Sequence, residues 1–244
     1  MLSIIIPTLN EEKYLPVLLA TIKRQVEIDY EIIVADNSSK DNTRKIAASH
    51  GALVVDGGMP AKARNNGAAA AKGETLLFLD ADVVLPAPDF LKKTLEEFDK
   101  RKLSLATCVV CPISGRMIDK ILHKAANIYI EAFHNISPRL PGFCIFVRKE
   151  IHEKISGFDE TIKLAEDHEY AQRAVKFAKF GILKSYPIVV SVRRFNRDGR
   201  FNIAVKYVLC EAYMELRGPI RSDIFKYRFG YGDDDKKESC RDQV

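Results

Sequence analysis

The triplet Asp80-Ala81-Asp82 closes the apolar run Leu76-Leu77-Phe78-Leu79. Two carboxylates flanking one small residue at a strand end can be aimed at a single hard cation. Magnesium and manganese favour oxygen ligands, often a few carboxylates completed by substrate phosphates. The same triplet also reads as a polar turn after a strand. A second acidic group, Glu166-Asp167-His168-Glu169, opens a segment with helical character. Acids in a first helical turn complement the helix dipole, and that reading suffices for Glu169. Asp167 suits a general base, because a partly desolvated carboxylate can take a proton from a hydroxyl. Glu166 and His168 compete with it for that role. Arg193-Arg194 follow another apolar run, either as a solvated turn or as guanidinium clamps on phosphate oxygens. Asp198-Gly199 reads as a turn in a flexible loop.

These groups need a frame, and the first third of the chain supplies its pattern. Apolar runs at 2–7, 31–35, 52–55 and 75–79 read as buried strands. Between them lie helical patterns at 11–25, with Leu15, Leu18, Leu19 and Ile22 on one face, at 41–49 and at 60–72. Asp41 is the expected N-cap of the second helix, and Lys72-Gly73 the expected stop of the third. This alternation predicts an α/β, Rossmann-like, mostly parallel sheet with helices on both faces. Such sheets bind ligands beyond the carboxyl ends of their strands, which is where Pro7-Thr8, Asp36 and Asp80 fall.

Further along, the periodicity predicts helices over 89–101, 117–136, 166–177 and 201–216, and strands over 103–111, 143–147 and 182–192. The stretch from Asp159 to Ala165 reads as flexible. Residues 1–200 form the expected catalytic domain, and residues 201–244 a C-terminal helical extension with a charged tail from Asp233. In that extension Phe201, Val205, Val208, Ala212 and Leu216 recur at helical spacing, interrupted by Lys206, Glu211 and Glu215 and followed by Arg217, Arg221, Lys226 and Arg228. Such a helix either packs on the core or lies at a membrane surface.

The composition, 47% hydrophobic and 29% charged, is that of a globular protein. The net charge of +5 lacks the concentrated basic stripe of a nucleic-acid binder. It suits an anionic partner such as a diphosphate or an anionic bilayer. No apolar run approaches the roughly 20 residues of a membrane span. Ser3-Ile4-Ile5-Ile6-Pro7 begins without a basic leader, so no signal peptide is expected. The expectation is a cytoplasmic protein, with peripheral contact at the inner face of the membrane as an option. Of five cysteines, Cys108 and Cys111 form a CxxC inside a strand pattern, where they point to opposite faces. Buried, inert thiols are expected there, not a metal site.

Five motifs stand in one order along residues 2–200: Ser3-Ile-Ile-Ile-Pro-Thr-Leu-Asn-Glu-Glu12, Asp36-Asn-Ser-Ser-Lys-Asp-Asn-Thr43, Ala63-Arg-Asn-Asn-Gly67, Leu79-Asp-Ala-Asp82, and Gly157-Phe-Asp-Glu160 with Glu166-Asp167. In this the chain resembles the family-2 glycosyltransferases of the GT-A fold. The resemblance implies transfer of a sugar from a UDP- or GDP-sugar to a sugar or lipid-linked acceptor. By position, it implies that Pro7, Thr8, Leu9 and Glu11 line the nucleotide, that Asp36 contacts base or ribose, and that Arg64 helps hold the donor. It further implies a divalent Mg2+ or Mn2+ on Asp80 and Asp82, with Asp167 as the base of an inverting reaction. Asn37 and Ser38 depart from the family's usual acid and glycine, and the chain has no tryptophan, unlike the processive polysaccharide synthases. Two other classes compete. A nucleotidyltransferase fits poorly, since the first loop, Thr8-Leu9-Asn10-Glu11-Glu12, is acidic and lacks glycine. A non-catalytic binding module of the same fold is disfavoured by Asp80, Asp82 and Asp167 together.

Overall fold

In the computed structural model, which describes residues 1–134 and 137–225, the first third folds as repeating strand–helix units. These are β1 (Leu2–Thr8), α1 (Leu15–Lys23), β2 (Tyr30–Asp36), α2 (Thr43–Ser49), β3 (Leu53–Asp56), α3 (Pro60–Ala70) and β4 (Thr75–Leu79). Next come β5 (Val83–Val84), α4 (Phe90–Lys100), β6 (Leu105–Pro112), α5 (Met117–Phe133), β7 (Cys144–Arg148) and α6 (Lys149–Lys154). The described chain closes with α7 (Glu166–Ala174), β8 (Phe180–Val190), α8 (Arg193–Asp198) and α9 (Arg200–Arg217).

The eight strands form one sheet in the order β3-β2-β1-β4-β7-β6-β8-β5. The run β3-β2-β1-β4 is parallel, as is β6-β8. β7 is antiparallel to both neighbours, and β5 is antiparallel to β8. The strands that carry Thr8, Asp36 and Asp80 therefore end on the same edge. Apolar cores lie on both faces. One contains Ile4, Ile6, Leu15, Leu18, Leu19 and Ile22, the face expected for α1; the other contains Ile5, Ile33, Phe78 and Tyr170.

Several local expectations change. Asp41 lies two residues ahead of α2, where its Oδ1 accepts from the Thr43 amide at 2.9 Å and the Thr43 hydroxyl at 2.5 Å. Asn42 holds the cap position without a side-chain bond. Gly73 does not end α3, which stops at Ala70. A Cβ on Gly73 would come within 2.7 Å of the Met1 carbonyl oxygen, so the glycine lets the chain cross close beside β1. Cys108 is buried and Cys111 exposed, so the opposite-face reading holds but only one of the two thiols is interior. Ile136, Lys226, Arg228, Cys240 and the tail from Asp233 lie outside the described residues.

The amphipathic pattern of α5 does not translate into burial. Ile121 and Ile128 are 55% and 60% exposed, whereas Asp119, His123 and Ile130 face inward. The apolar stripe of α9 is likewise exposed, with Phe201 at 83% and Leu216 at 84%, while Ile203 and Cys210 are buried. Among the described residues no helix is long and apolar enough to cross a membrane.

Candidate active site

β1 delivers Pro7 and Thr8 to the sheet edge, and the next loop is stapled to the loop after β2. The Asn10 amide donates to Ser39 Oγ at 2.8 Å, the Lys40 amide to Asn10 Oδ1 at 2.9 Å, and the Glu11 amide to Thr43 Oγ1 at 2.8 Å. Asp36 organises this junction from behind. Its carboxylate accepts from Thr8 Oγ1 at 2.9 Å, from the Ser39 amide and hydroxyl at 3.0 and 2.5 Å, and from Arg44 at 3.4 Å. Asp36, expected at base or ribose, is thus buried beneath the wall, and its neighbour Asn37 faces the cavity instead.

Asp80 and Asp82 leave β4 into the same space. Arg64 reaches them from α3: its Nη2 donates to Asp80 Oδ1 at 3.3 Å and to the Gly142 carbonyl at 3.2 Å, and its Nη1 to Glu166 Oε1 at 2.6 Å. The guanidinium is buried. Burial alone would favour the neutral form, but Glu166, Asp80 and Asp167 outweigh it and keep the charge.

Arg193 is neither in a solvated turn nor in a loop. It opens α8 and donates from Nη1 and Nη2 to the two Glu11 oxygens at 2.7 and 2.8 Å, with Nε 2.7 Å from Asp82 Oδ2. Its guanidinium lies 4.3 Å over the Tyr14 ring. Burial pushes the Glu11 carboxyl up to about 7, with Arg193 opposing and Asp82 and Asp80 adding to the rise. Burial also raises Asp82, against Arg193, with Asp80 repulsion adding. Arg194 Nη1 donates to Tyr207 Oη at 3.4 Å. Asp198 ends α8 paired with Arg197 at 2.7 Å, so the expected loop is helical up to Gly199.

The Asp80/Asp82 pair fits a hard divalent cation. Its donors are all oxygen, and a cation would offset both the burial that chiefly raises Asp82 and the smaller repulsion from Asp80. Among the described residues no three His, Cys, Asp or Glu side chains cluster tightly enough to hold an ion alone. Two carboxylates leave positions for phosphate oxygens and water, a common arrangement for magnesium.

At α7, Ala165 takes a left-handed conformation at φ 60° and turns the chain into the helix. Glu166 is buried against Arg64, Glu169 pairs with Arg173 at 2.5 Å, and His168 Nδ1 lies 3.0 Å from Glu211 Oε1 of α9. Burial works against the His168 cation, but Asp167 and Glu211 prevail and raise its pKa. Asp167 lines the cavity, with Oδ1 accepting from the His168 amide at 2.9 Å. A Cβ on Gly142 would meet Asp167 Oδ2 and Arg64 Nη2, each at 2.8 Å. The segment before α7, expected to be flexible, is tied down. The Lys163 amide donates to the Ile220 carbonyl at 2.8 Å, Leu164 bridges Ile220, and Arg221 pairs with Asp159 at 3.0 Å.

One cavity of about 770 Å3 gathers Pro7, Thr8, Leu9, Glu11, Arg64, Asp80, Asp82, Asp167, Arg193 and Arg194, all the expected site residues except Asp36. Sequence reasoning missed Gly142, and it missed that Tyr129, Arg139 and Glu211 gather around His168, which it had named only as a competitor for the base. Arg139 Nε donates to Tyr129 Oη at 3.1 Å and lies 3.0 Å from Glu211 Oε2. The only signal for that cluster was a glutamate interrupting an apolar helix.

Residues 3–156, more than half of the chain, match the family model described as "Glycosyl transferase family 2". The chain belongs to glycosyl transferase family 2. Among relatives in this family is the poly(ribitol-phosphate) beta-N-acetylglucosaminyltransferase TarS of Staphylococcus aureus, 24% identical over 254 residues. That alignment covers 99% of this chain and 42% of TarS, so the chain spans less than half of that relative's length. A crystal structure of S. aureus TarS 1-349 in complex with UDP-GlcNAc superposes with TM-score 0.65 and 20% identity, covering 87% of this chain and 66% of that one. A mannosyltransferase from Pyrobaculum calidifontis in complex with GDP-Man and Mn2+ superposes with TM-score 0.68 and 19% identity, covering 94% and 65%. At these identities the structural likeness establishes the fold, GT-A.

Proposed function

We propose that this family-2 protein transfers a hexosyl group from a UDP- or GDP-sugar to an acceptor hydroxyl or lipid phosphate, by a metal-dependent, inverting single displacement. The observation that carries this reading is convergence. Asp80 and Asp82 from the end of β4, Arg64 from α3 and Asp167 from α7 share one cavity with Pro7, Thr8 and Glu11. The likeness to proteins crystallised with UDP-GlcNAc, and with GDP-Man and Mn2+, supports the donor class and the cation.

In this reading Pro7, Thr8, Leu9, Glu11 and Asn37 form the nucleotide wall, stiffened from behind by Asp36. Asp80 and Asp82 hold a Mg2+ or Mn2+ that supplies Lewis-acid charge to the departing diphosphate. Arg193 and Arg194 present guanidinium groups on the same side, Arg193 exchanging part of its contact with Asp82 for phosphate oxygens. Asp167 accepts the acceptor's proton as the new bond forms, a contribution of roughly 10²–10⁴-fold. A retaining double displacement needs a carboxylate nucleophile. Glu166, the neighbouring acid, is committed to Arg64 at 2.6 Å, which supports one displacement and inversion. Residues 1–200 act as the catalytic domain and residues 201–244 as an extension of it, in a cytoplasmic protein with peripheral contact at the inner membrane face.

The test is a panel of UDP- and GDP-sugars with Mn2+, followed by NMR assignment of the product anomer. Release of sugar from one donor class and an inverted product are expected. A retained configuration would remove Asp167 from the role of base, and failure to turn over any donor would remove the transferase reading.

A further inference from the structure

Asp167 is held on both flanks by residues that lie far beyond it in the chain. Ahead of it, the Lys163 amide donates to the Ile220 carbonyl at 2.8 Å, and Leu164 and Ile220 form an antiparallel bridge. Arg221 adds Nη2 to Asp159 and Nε to Thr161 Oγ1, each at 3.0 Å. Behind it, His168 Nδ1 lies 3.0 Å from Glu211 Oε1 of α9. Glu211 is itself held, with Oε2 3.0 Å from Arg139 Nε, and Arg139 also pairs with Glu215 one turn on. Between the two attachments stand Ala165, Glu166 and Asp167. Ala165 takes its left-handed φ of 60° there without a glycine's freedom, and α7 has no side-chain cap. Glu166 is fixed by Arg64 at 2.6 Å, which leaves the residues on either side of the acidic pair to the C-terminal contacts.

The geometry points to a positioning role for residues 200–221: Glu211, through His168, and Ile220, through Leu164, hold Asp167 at the angle from which it takes the acceptor's proton. The inference rests on the proposed reading of Asp167 as the base. On one side the link to the carboxylate is direct. His168 gives its backbone amide to Asp167 Oδ1 at 2.9 Å and presents its ring to Glu211, so a shift of that residue carries the amide with it. Asp167 Oδ2 packs against Gly142, where an added Cβ would come within 2.8 Å of it, so the carboxylate has little room to compensate. These contacts add little to the apolar core. Of the eighteen residues of α9, Ile203 and Cys210 alone are buried, and stabilisation by apolar burial scales with the area removed from water. Its Glu211 and Glu215 instead meet Arg139, which is 2% exposed, and Ile220 beyond the helix is fully buried. An extension that buries little of itself yet reaches both flanks of the base is organised around the base. The family match ends at residue 156, so Asp167 and the residues that hold it all lie beyond it.

The experiment uses the full chain with Glu211→Ala, Ile220→Asp and Glu211→Gln. It reads transfer kinetics, affinity for UDP and GDP with Mn2+, and hydrogen exchange across residues 160–170. Misplacing a catalytic group by about 1 Å costs on the order of 10²-fold. Glu211→Ala and Ile220→Asp are expected to lower kcat by about that factor, with donor KM and nucleotide affinity within about threefold of the wild type. Exchange across 160–170 is expected to speed up in both, while β1 and β4 keep their protection. Glu211→Gln is expected to return kcat to within about threefold of the wild type, because its oxygen can meet Arg139 while its NH2 donates to a neutral His168 Nδ1. Near-wild-type kcat in both disrupting variants would overturn the positioning role. So would a fall in nucleotide affinity as large as the fall in kcat, loss of protection throughout the sheet in both variants, or failure of Glu211→Gln to recover. If exchange responds as expected but the wild type transfers sugar from no donor, the hold on residues 163–168 stands and the transferase reading falls.

Discussion

Arg64 Nη1 donates to Glu166 Oε1 at 2.6 Å, joining α3 to α7 across 102 residues, with both side chains buried. The contact decides the roles of two adjacent acids. Glu166 is consumed in an ion pair and sets the position of α7, and Asp167 is left facing the cavity.

Asp167→Asn and Glu166→Ala should therefore fail in different ways. The first keeps size and removes basicity, so nucleotide diphosphate affinity persists while transfer falls roughly 10²–10⁴-fold. The second leaves the buried Arg64 charge short of its main partner, a loss of roughly 3–5 kcal/mol. Titration calorimetry and urea unfolding separate the two. Near-normal transfer by Asp167→Asn would sink the assignment of the base.

Chelation should abolish turnover in the wild type, and added Mn2+ should restore it. Asp82→Ala should lose activity together with the Mn2+-dependent part of nucleotide affinity, while circular dichroism stays unchanged. Arg193 keeps its two-point contact with Glu11 in that variant, which holds α8 against the first loop. Full turnover in excess chelator would count decisively against the metal.

Gly142→Ala tests close packing behind the base. The added carbon would lie 2.8 Å from both Asp167 Oδ2 and Arg64 Nη2, so one or both must move. Misplacement of catalytic groups by about 1 Å can cost on the order of 10²-fold. We expect transfer to fall by that order with donor affinity reduced far less. A fully active Gly142→Ala enzyme would show that the neighbouring groups yield without consequence.

His152 should make the fold weaken in mild acid. It is buried beside Phe78 and donates to or accepts from Tyr170 Oη at 3.0 Å. Burial, with Arg173 and Lys149 adding, lowers its pKa from 6.5 to about 4. Between those values the unfolded chain binds the proton and the folded chain does not, so stability rises with pH across the window. The contribution is fully present above 6.5 and is lost as pH falls towards 4, by at most about 1.4 kcal/mol per pH unit. Urea midpoints measured from pH 4.5 to 7.5 should show this slope, and His152→Phe should flatten it. An unchanged slope in the variant would place the acid sensitivity elsewhere.

Most of the frame was legible in the residues. The runs at 2–7, 31–35, 52–55 and 75–79 are apolar enough to read as strands. The third is a sheet edge and not the buried strand expected, with Leu53 49% exposed. The helical spacing between the runs points to a parallel sheet. That alone brings Thr8, Asp36 and Asp80 to one edge, since crossover connections return each strand in the same direction. The local order of acids at 80–82 and 166–169 likewise named the candidates for cation and base. Which acid does what was not legible, because it depends on partners far away in the chain. Arg64 selects Glu166 for an ion pair, and Arg193 bridges Glu11 and Asp82. Asp36 turns its carboxylate to Thr8 and Ser39, away from the cavity. The helices α5 and α9 show the same limit. Their apolar periodicity predicts something to bury but does not say against what. Only the tertiary arrangement decided that Ile121, Ile128, Phe201 and Leu216 stay exposed while Asp119, His123, Ile203 and Cys210 turn inward.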